Sequence, residues 1–167
     1  MKKTLLALVL SLMCMAASAT VNITDGAVNC LRGQQQIDVT LDLSGTKYLG
    51  TRPLNDFLSL ASRARDWEEK SLRAFSFSFN RISRKYGLIS APVRTESKYV
   101  LCISPSSVDT KGRLKGTAIL RDSQTSESVA MFSFATSDGD NDDEITFQDP
   151  LSELGEDMAK LLKKQIK

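Results

Sequence analysis

Histidine is absent from this 167-residue chain. That one absence removes serine–histidine and cysteine–histidine nucleophilic sites, histidine-ligated zinc and imidazole acid–base catalysis together. Cysteine is scarce. Of the three, Cys14 lies in an apolar N-terminal run, and Cys30 and Cys102 are too far apart in sequence for a C-x-x-C redox or zinc motif. There is no Walker loop and no G-x-G-x-x-G. Ser44-Gly45-Thr46-Lys47 matches S-x-x-K, but it falls at a strand end with glycine inside and lacks the companion motifs of serine–lysine enzymes. No catalytic residue emerges, and the chain reads as non-enzymatic.

What is present first is a leader. Lys2 and Lys3 precede an almost unbroken apolar stretch at residues 5–15, which Ala16-Ala17-Ser18-Ala19 closes. Charge, apolar core and A-x-A in that order make a secretory signal peptide, and the apolar run is too short to span a bilayer. Cleavage is expected after Ala19, exporting residues 20–167 to the periplasm or the medium. Met13 stands before Cys14 where a lipobox places a small residue, so Cys14 is expected to leave with the leader and not to carry a lipid. Residues 20–167 contain no transmembrane run. Loss of Lys2 and Lys3 reduces 22 basic residues to 20, matching the 20 acidic ones. A neutral chain gives no electrostatic case for nucleic acid. In an oxidising compartment Cys30 and Cys102 are expected to form a disulfide, whose long loop adds about 4 kcal/mol.

Hydrophobic periodicity sets the expected fold. Residues 27–31 read as a short strand, Arg32-Gly33 as its turn and residues 35–43 as the returning strand, with Ile37, Val39, Leu41 and Leu43 alternating against Asp38, Thr40 and Asp42. A loop containing Pro53 leads to an apolar segment at 54–60. Asp66 and Glu69 have capping-box spacing ahead of a helix whose apolar residues fall at Leu72, Phe75, Phe79, Ile82 and Tyr86, and Gly87 stops it. After Pro92 three strands follow as a meander, the last placing Ala130, Phe132 and Phe134 on one face. A final helix over 150–166 carries Leu151, Leu154, Met158, Leu161 and Leu162, with acidic residues early and lysines late. The expectation is a single α+β domain, β-β-α-β-β-β-α: a mainly antiparallel sheet of about five strands with two amphipathic helices on one face.

Asp42-Leu43-Ser44 as a D-x-S turn, Asp66-Trp67-Glu68 as a helix start, the strand Ser97-Lys98-Tyr99-Val100-Leu101, the glycine-bearing strand 112–122 and the lysine-rich end 161–165 together resemble a family of small exported proteins of Gram-negative bacteria. The resemblance implies one exported α+β domain and supplies no catalytic residues.

Two surface features invite a ligand. Asp138, Asp140 and Asp142 take positions 1, 3 and 5 of a calcium-type loop, with Glu144 beside them and Asp149 at position 12. Position 6 is Asp143 where such loops use glycine, so an acidic solvated connection explains the same residues. No other cofactor is implied. Arg63, Arg65, Lys70, Arg73, Arg81, Arg84 and Lys85 make the long helix basic, although Glu68 and Glu69 interrupt it. The reading that results is an envelope protein binding another protein or a cell-wall component. The alternative is a small-ligand or calcium binder on the acidic loop. Val100, Ile119 and Met131 would form an apolar patch on the sheet's second face if a partner docks there. The sequence does not give the oligomeric state.

Overall fold

A computed structural model describes residues 20–59, 66–92, 97–139 and 147–166. They form eight strands: β1 (Thr20–Gly26), β2 (Gln36–Leu41), β3 (Lys47–Tyr48), β4 (Arg52–Pro53), β5 (Ile89–Ala91), β6 (Tyr99–Val108), β7 (Leu114–Asp122) and β8 (Ser128–Ala135). Three helices accompany them: α1 (Leu54–Leu58), α2 (Trp67–Ser83) and α3 (Gln148–Ile166). The strands lie in the order β1-β8-β7-β6-β2-β5, and β3 pairs both with β4 and with the end of β6.

The α+β class stands, but the expected sheet does not. The sheet is mixed and has eight strands where about five mainly antiparallel ones were expected, and there are three helices where two were expected. Its meander half matches expectation, since β6–β7 and β7–β8 are antiparallel. β2 instead runs parallel to both β5 and β6. The cause lies in the connection. The chain leaves β2, passes through α1 and α2, and returns in the same direction, as a crossover with a helix requires. Residues 27–31 are not a strand: Asn29–Leu31 is a 3₁₀ turn with Leu31 buried. The strand that precedes it, β1, pairs with β8 across the sheet.

All the large buried side chains gather on one side. Ile37 and Val39 of β2, Leu101 and Ile103 of β6, Ala118 and Leu120 of β7, and Phe132 and Phe134 of β8 form one core with Phe75, Phe79, Leu151, Leu154 and Met158. In α2 the rings of Phe75 and Phe79 lie 5.7 Å apart, one helical turn along the same face. Phe77 points away and is 76% exposed. Gly87, at φ 82°, ends the helical segment in the left-handed conformation that glycine adopts without strain. The capping box is not formed. Asp66 has φ 54° and makes no side-chain cap hydrogen bond.

α2 and α3 approach each other closely because α3 presents Gly155 there: a Cβ on it would stand 2.3 Å from the Phe75 carbonyl oxygen. The Ser78 and Ser152 hydroxyls meet across the same contact at 2.7 Å. At one end of the core Tyr48, Phe57, Phe147 and Trp67 form a chain of rings with centroids 5.3, 5.9 and 6.0 Å apart. Phe147 is buried there with a left-handed backbone, φ 52°. No described helix is long and apolar enough to cross a membrane.

Candidate functional site: the uncovered sheet face

Successive strand residues point to opposite faces, so the alternation that fills the core also builds a second face. Register assigns its residues. One rung across the sheet reads Thr40, Cys102, Ile119, Met131, Asp25. The rung beside it reads Asp38, Val100, Arg121. Among the described residues no helix lies over this face. Val100, Cys102, Ile119 and Met131 form an adjoining apolar group there, half-buried by their neighbours, with Ser104, Thr117 and Ser133 in the next rung. The three residues expected as a patch, Val100, Ile119 and Met131, do share the face, but none of them is fully exposed.

One end of the face deepens into a groove of about 660 Å³. Its floor is Asp38, Thr40, Val100 and Cys102, and its wall is Arg121 with the β7–β8 turn. That turn is held firmly. The Asp122 carboxylate accepts hydrogen bonds from the backbone N–H groups of Gln124 and Thr125 at 2.9 and 3.1 Å, which hold its pKa below the usual carboxylate value. Arg121 donates to the Ser126 carbonyl at 3.1 Å. Asp38 is 1% exposed and has polar interactions within the protein, so it is not an isolated buried charge. The groove thus offers a guanidinium, a carboxylate, several hydroxyls and an amide around the apolar side chains of Val100 and Cys102. Such a set binds by hydrogen bonds and contact.

Cys102 lies on this face and Cys30 on the other. Cys30 packs against the core beside the Tyr99 hydroxyl, and burial pushes its thiol pKa up. Tyr99 alternates with Val100 and Cys102 and is buried on the helix side. Both thiols are free in the structure. The Cys30–Cys102 disulfide expected from the sequence is not formed in this structure, where the two cysteines lie on opposite faces of the sheet.

The acidic connection is described only at its ends. Asp140, Asp142 and Glu144 lie outside the described residues. Asp138 and Asp149 flank Glu153, which receives the N–H groups of Ser137 and Asp138 at 2.8 and 2.9 Å. Burial, then repulsion from Glu153 and Asp149, pushes the Asp138 pKa up. Among the described residues no three His, Cys, Asp or Glu side chains are placed to hold a metal. Two residues of the basic helix face are paired in place: Arg73 with Glu69 at 2.5 Å and Arg81 with Glu156. Arg63 and Arg65 lie outside the described residues. Ser44 and Lys47 sit in a turn and a strand, so the helix that S-x-x-K chemistry needs is absent there.

Sequence reasoning did not single out Asp38, Thr40, Arg121 or the turn at 122–126. The alternation in β2 placed Asp38 and Thr40 on the solvent side, but only the parallel pairing of β2 with β6 sets them beside Val100 and Cys102.

No protein-family model matches the chain, and no curated protein sequence does. Several solved structures align with it. The PelC dodecamer from Paraburkholderia phytofirmans is 15% identical, with a TM-score of 0.45 over 89% of this chain and 99% of that one. A methionine variant of that dodecamer is 14% identical, with a TM-score of 0.43 over 86% and 94%. At this distance neither assembly nor ligand transfers to this chain.

Proposed function

We propose that this protein is an exported, non-enzymatic module of the cell envelope that binds a protein or cell-wall partner through the uncovered face of its sheet. The observation carrying this reading is that face: Val100, Cys102, Ile119 and Met131 adjoining a 660 Å³ groove rimmed by hydroxyls and Arg121. A half-apolar surface ringed by hydrogen-bonding groups has the anatomy of a protein interface, with an apolar centre and a polar rim. The leader at residues 1–19 supports the compartment, and the missing histidine supports a role without catalysis.

The test places a photo-reactive residue at Met131 in cells and identifies what it captures, with the same probe at Arg84 on the helix side as the control. One envelope component captured from Met131 and not from Arg84, and lost with Ile119→Lys, is the expected result. Equal capture from both positions, or capture unaffected by Ile119→Lys, would sink the reading.

A further inference from the structure

The two edges of the sheet differ. β5 closes one edge with three residues, whereas β1 presents seven at the other. An edge strand of that length exposes a row of backbone N–H and C=O groups, and soluble proteins usually blunt such an edge with lysine, proline or a cover. β1 reads Thr20-Val21-Asn22-Ile23-Thr24-Asp25-Gly26. It contains no lysine and no proline, and its only charge, Asp25, lies past the bulge at Thr24. Among the described residues nothing pairs with its outer side.

The segment 20–24 has a further property: its chemistry reads almost the same in both directions. An antiparallel pairing about Asn22 sets Thr20 opposite Thr24, Val21 opposite Ile23 and Asn22 opposite Asn22. Each is a pair that two adjacent strands accept, with β-branched residues against each other and no like charges opposed. A two-fold axis through such a pair preserves the faces of the sheet. Val21 and Ile23 are opposite Phe134 and Phe132 of β8, so they lie on the helix side. They are half-buried against the core, as are Leu161 and Ile166 of α3, the helix that lies against β1. A second copy would complete the cover of that apolar rim. The lysines of α3 do not oppose this approach, because Lys160, Lys163 and Lys164 gather beside Ile82 of α2, away from β1. Cleavage after Ala19, expected from the sequence, would also leave the Thr20 ammonium next to Asp25 of the second copy.

We infer that β1 is a self-association edge, and that two copies of this chain join by antiparallel β1–β1 pairing centred on Asn22 into one continuous sheet. Isologous pairing of this kind closes on itself and stops at the dimer.

The test is sedimentation velocity on the full chain, expressed with its own leader and purified after export, over a range of micromolar concentrations. The expected result is a monomer–dimer equilibrium that Asn22→Asp weakens about fivefold by setting two carboxylates opposite each other. Asn22 is exposed, so the variant is expected to melt with the parent. In a second arm Asn22→Cys is made with Cys30→Ser and Cys102→Ser. Residues opposed across an antiparallel pair have Cα atoms about 4.5–5.5 Å apart, within the span of a disulfide. Asn22→Cys is expected to cross-link to itself. Thr20→Cys alone is not, and it should cross-link when mixed with Thr24→Cys. A monomer at every concentration overturns the inference. So does a dimer that ignores Asn22→Asp and fails to cross-link at position 22, because the copies would then meet elsewhere.

Discussion

The two faces of one sheet are built from the same strands, yet they follow different rules. On β8, Ala130, Phe132 and Phe134 are buried against the helices, while Met131, Ser133 and Ala135, between and beside them, remain half-exposed. The helix side contains all the large fully buried side chains, including Phe75, Phe79 and Phe132. The other side has no aromatic residue on β6, β7 or β8, but it has the hydroxyls of Ser104, Thr117 and Ser133 in one rung and a groove at one end. The helix side is specified by volume, where a misfit of one methylene group is felt. The uncovered side is specified by hydrogen-bonding capacity, which leaves its residues free to change with a partner.

Adjacent residues on β8 give the largest contrast. Phe132→Ala leaves a cavity in the core and is expected to cost about 3–5 kcal/mol. Met131→Ala, one residue away on the other face, should cost under about 1 kcal/mol. Denaturant midpoints of the isolated protein would measure both. A Met131→Ala cost as large as that of Phe132→Ala would mean the second face is covered in solution, and the comparison would break.

The thiols give a smaller contrast, one on each face. With no bridge between them, Cys30 and Cys102 should both alkylate in native protein prepared without reductant. Cys30 should react more slowly than an unhindered thiol, because burial raises its pKa and lowers its thiolate fraction. Peptide mapping reads this directly. A linked Cys30–Cys102 peptide pair would contradict the arrangement of the faces.

The residues that sequence reading located well are those governed by local periodicity. Leu151, Leu154, Met158 and Leu162 are all buried along α3, and Phe75 and Phe79 are buried along α2, as their spacing requires. The meander β6–β7–β8 was legible because short turns force neighbouring strands to be antiparallel. What escaped depends on partners distant in sequence. β1 pairs with β8, more than a hundred residues away, and Thr20-Val21-Asn22-Ile23 is too short a pattern to distinguish from the end of a leader. β5 has only three residues, and β2 shows the same alternation whether its neighbours are parallel or antiparallel. The disulfide expectation rested on compartment and count, which give no information about which face each sulfur occupies. The candidate site inherits these limits, since its floor exists only once β2 lies beside β6.

The smallest effect concerns two aspartates, one at each of the turns that begin and end β8. Asp122, before β8, is stabilised as a carboxylate by two backbone N–H groups, so its folded pKa is lowered. Asp138, after β8, is destabilised as a carboxylate by burial, Glu153 and Asp149, so its folded pKa is raised. The signs follow by linkage. A lowered folded pKa contributes stability above the ordinary carboxylate value and loses it as pH falls through the folded value. Asp122→Asn should therefore lower Tm at neutral pH, with the deficit closing in acid. A raised folded pKa imposes its penalty once pH has risen through the folded value and none below the ordinary carboxylate value. Asp138→Asn should therefore raise Tm at neutral pH, by no more than about 2 °C for so exposed a group, and the gain should vanish in acid. Thermal melts of both variants from acid to neutral pH would show opposite signs converging on the parent. If Asp138→Asn instead lowered Tm at neutral pH, the Asp138 carboxylate would be held by a favourable partner, and the acidic end would then be the better place to look for a bound cation than the groove.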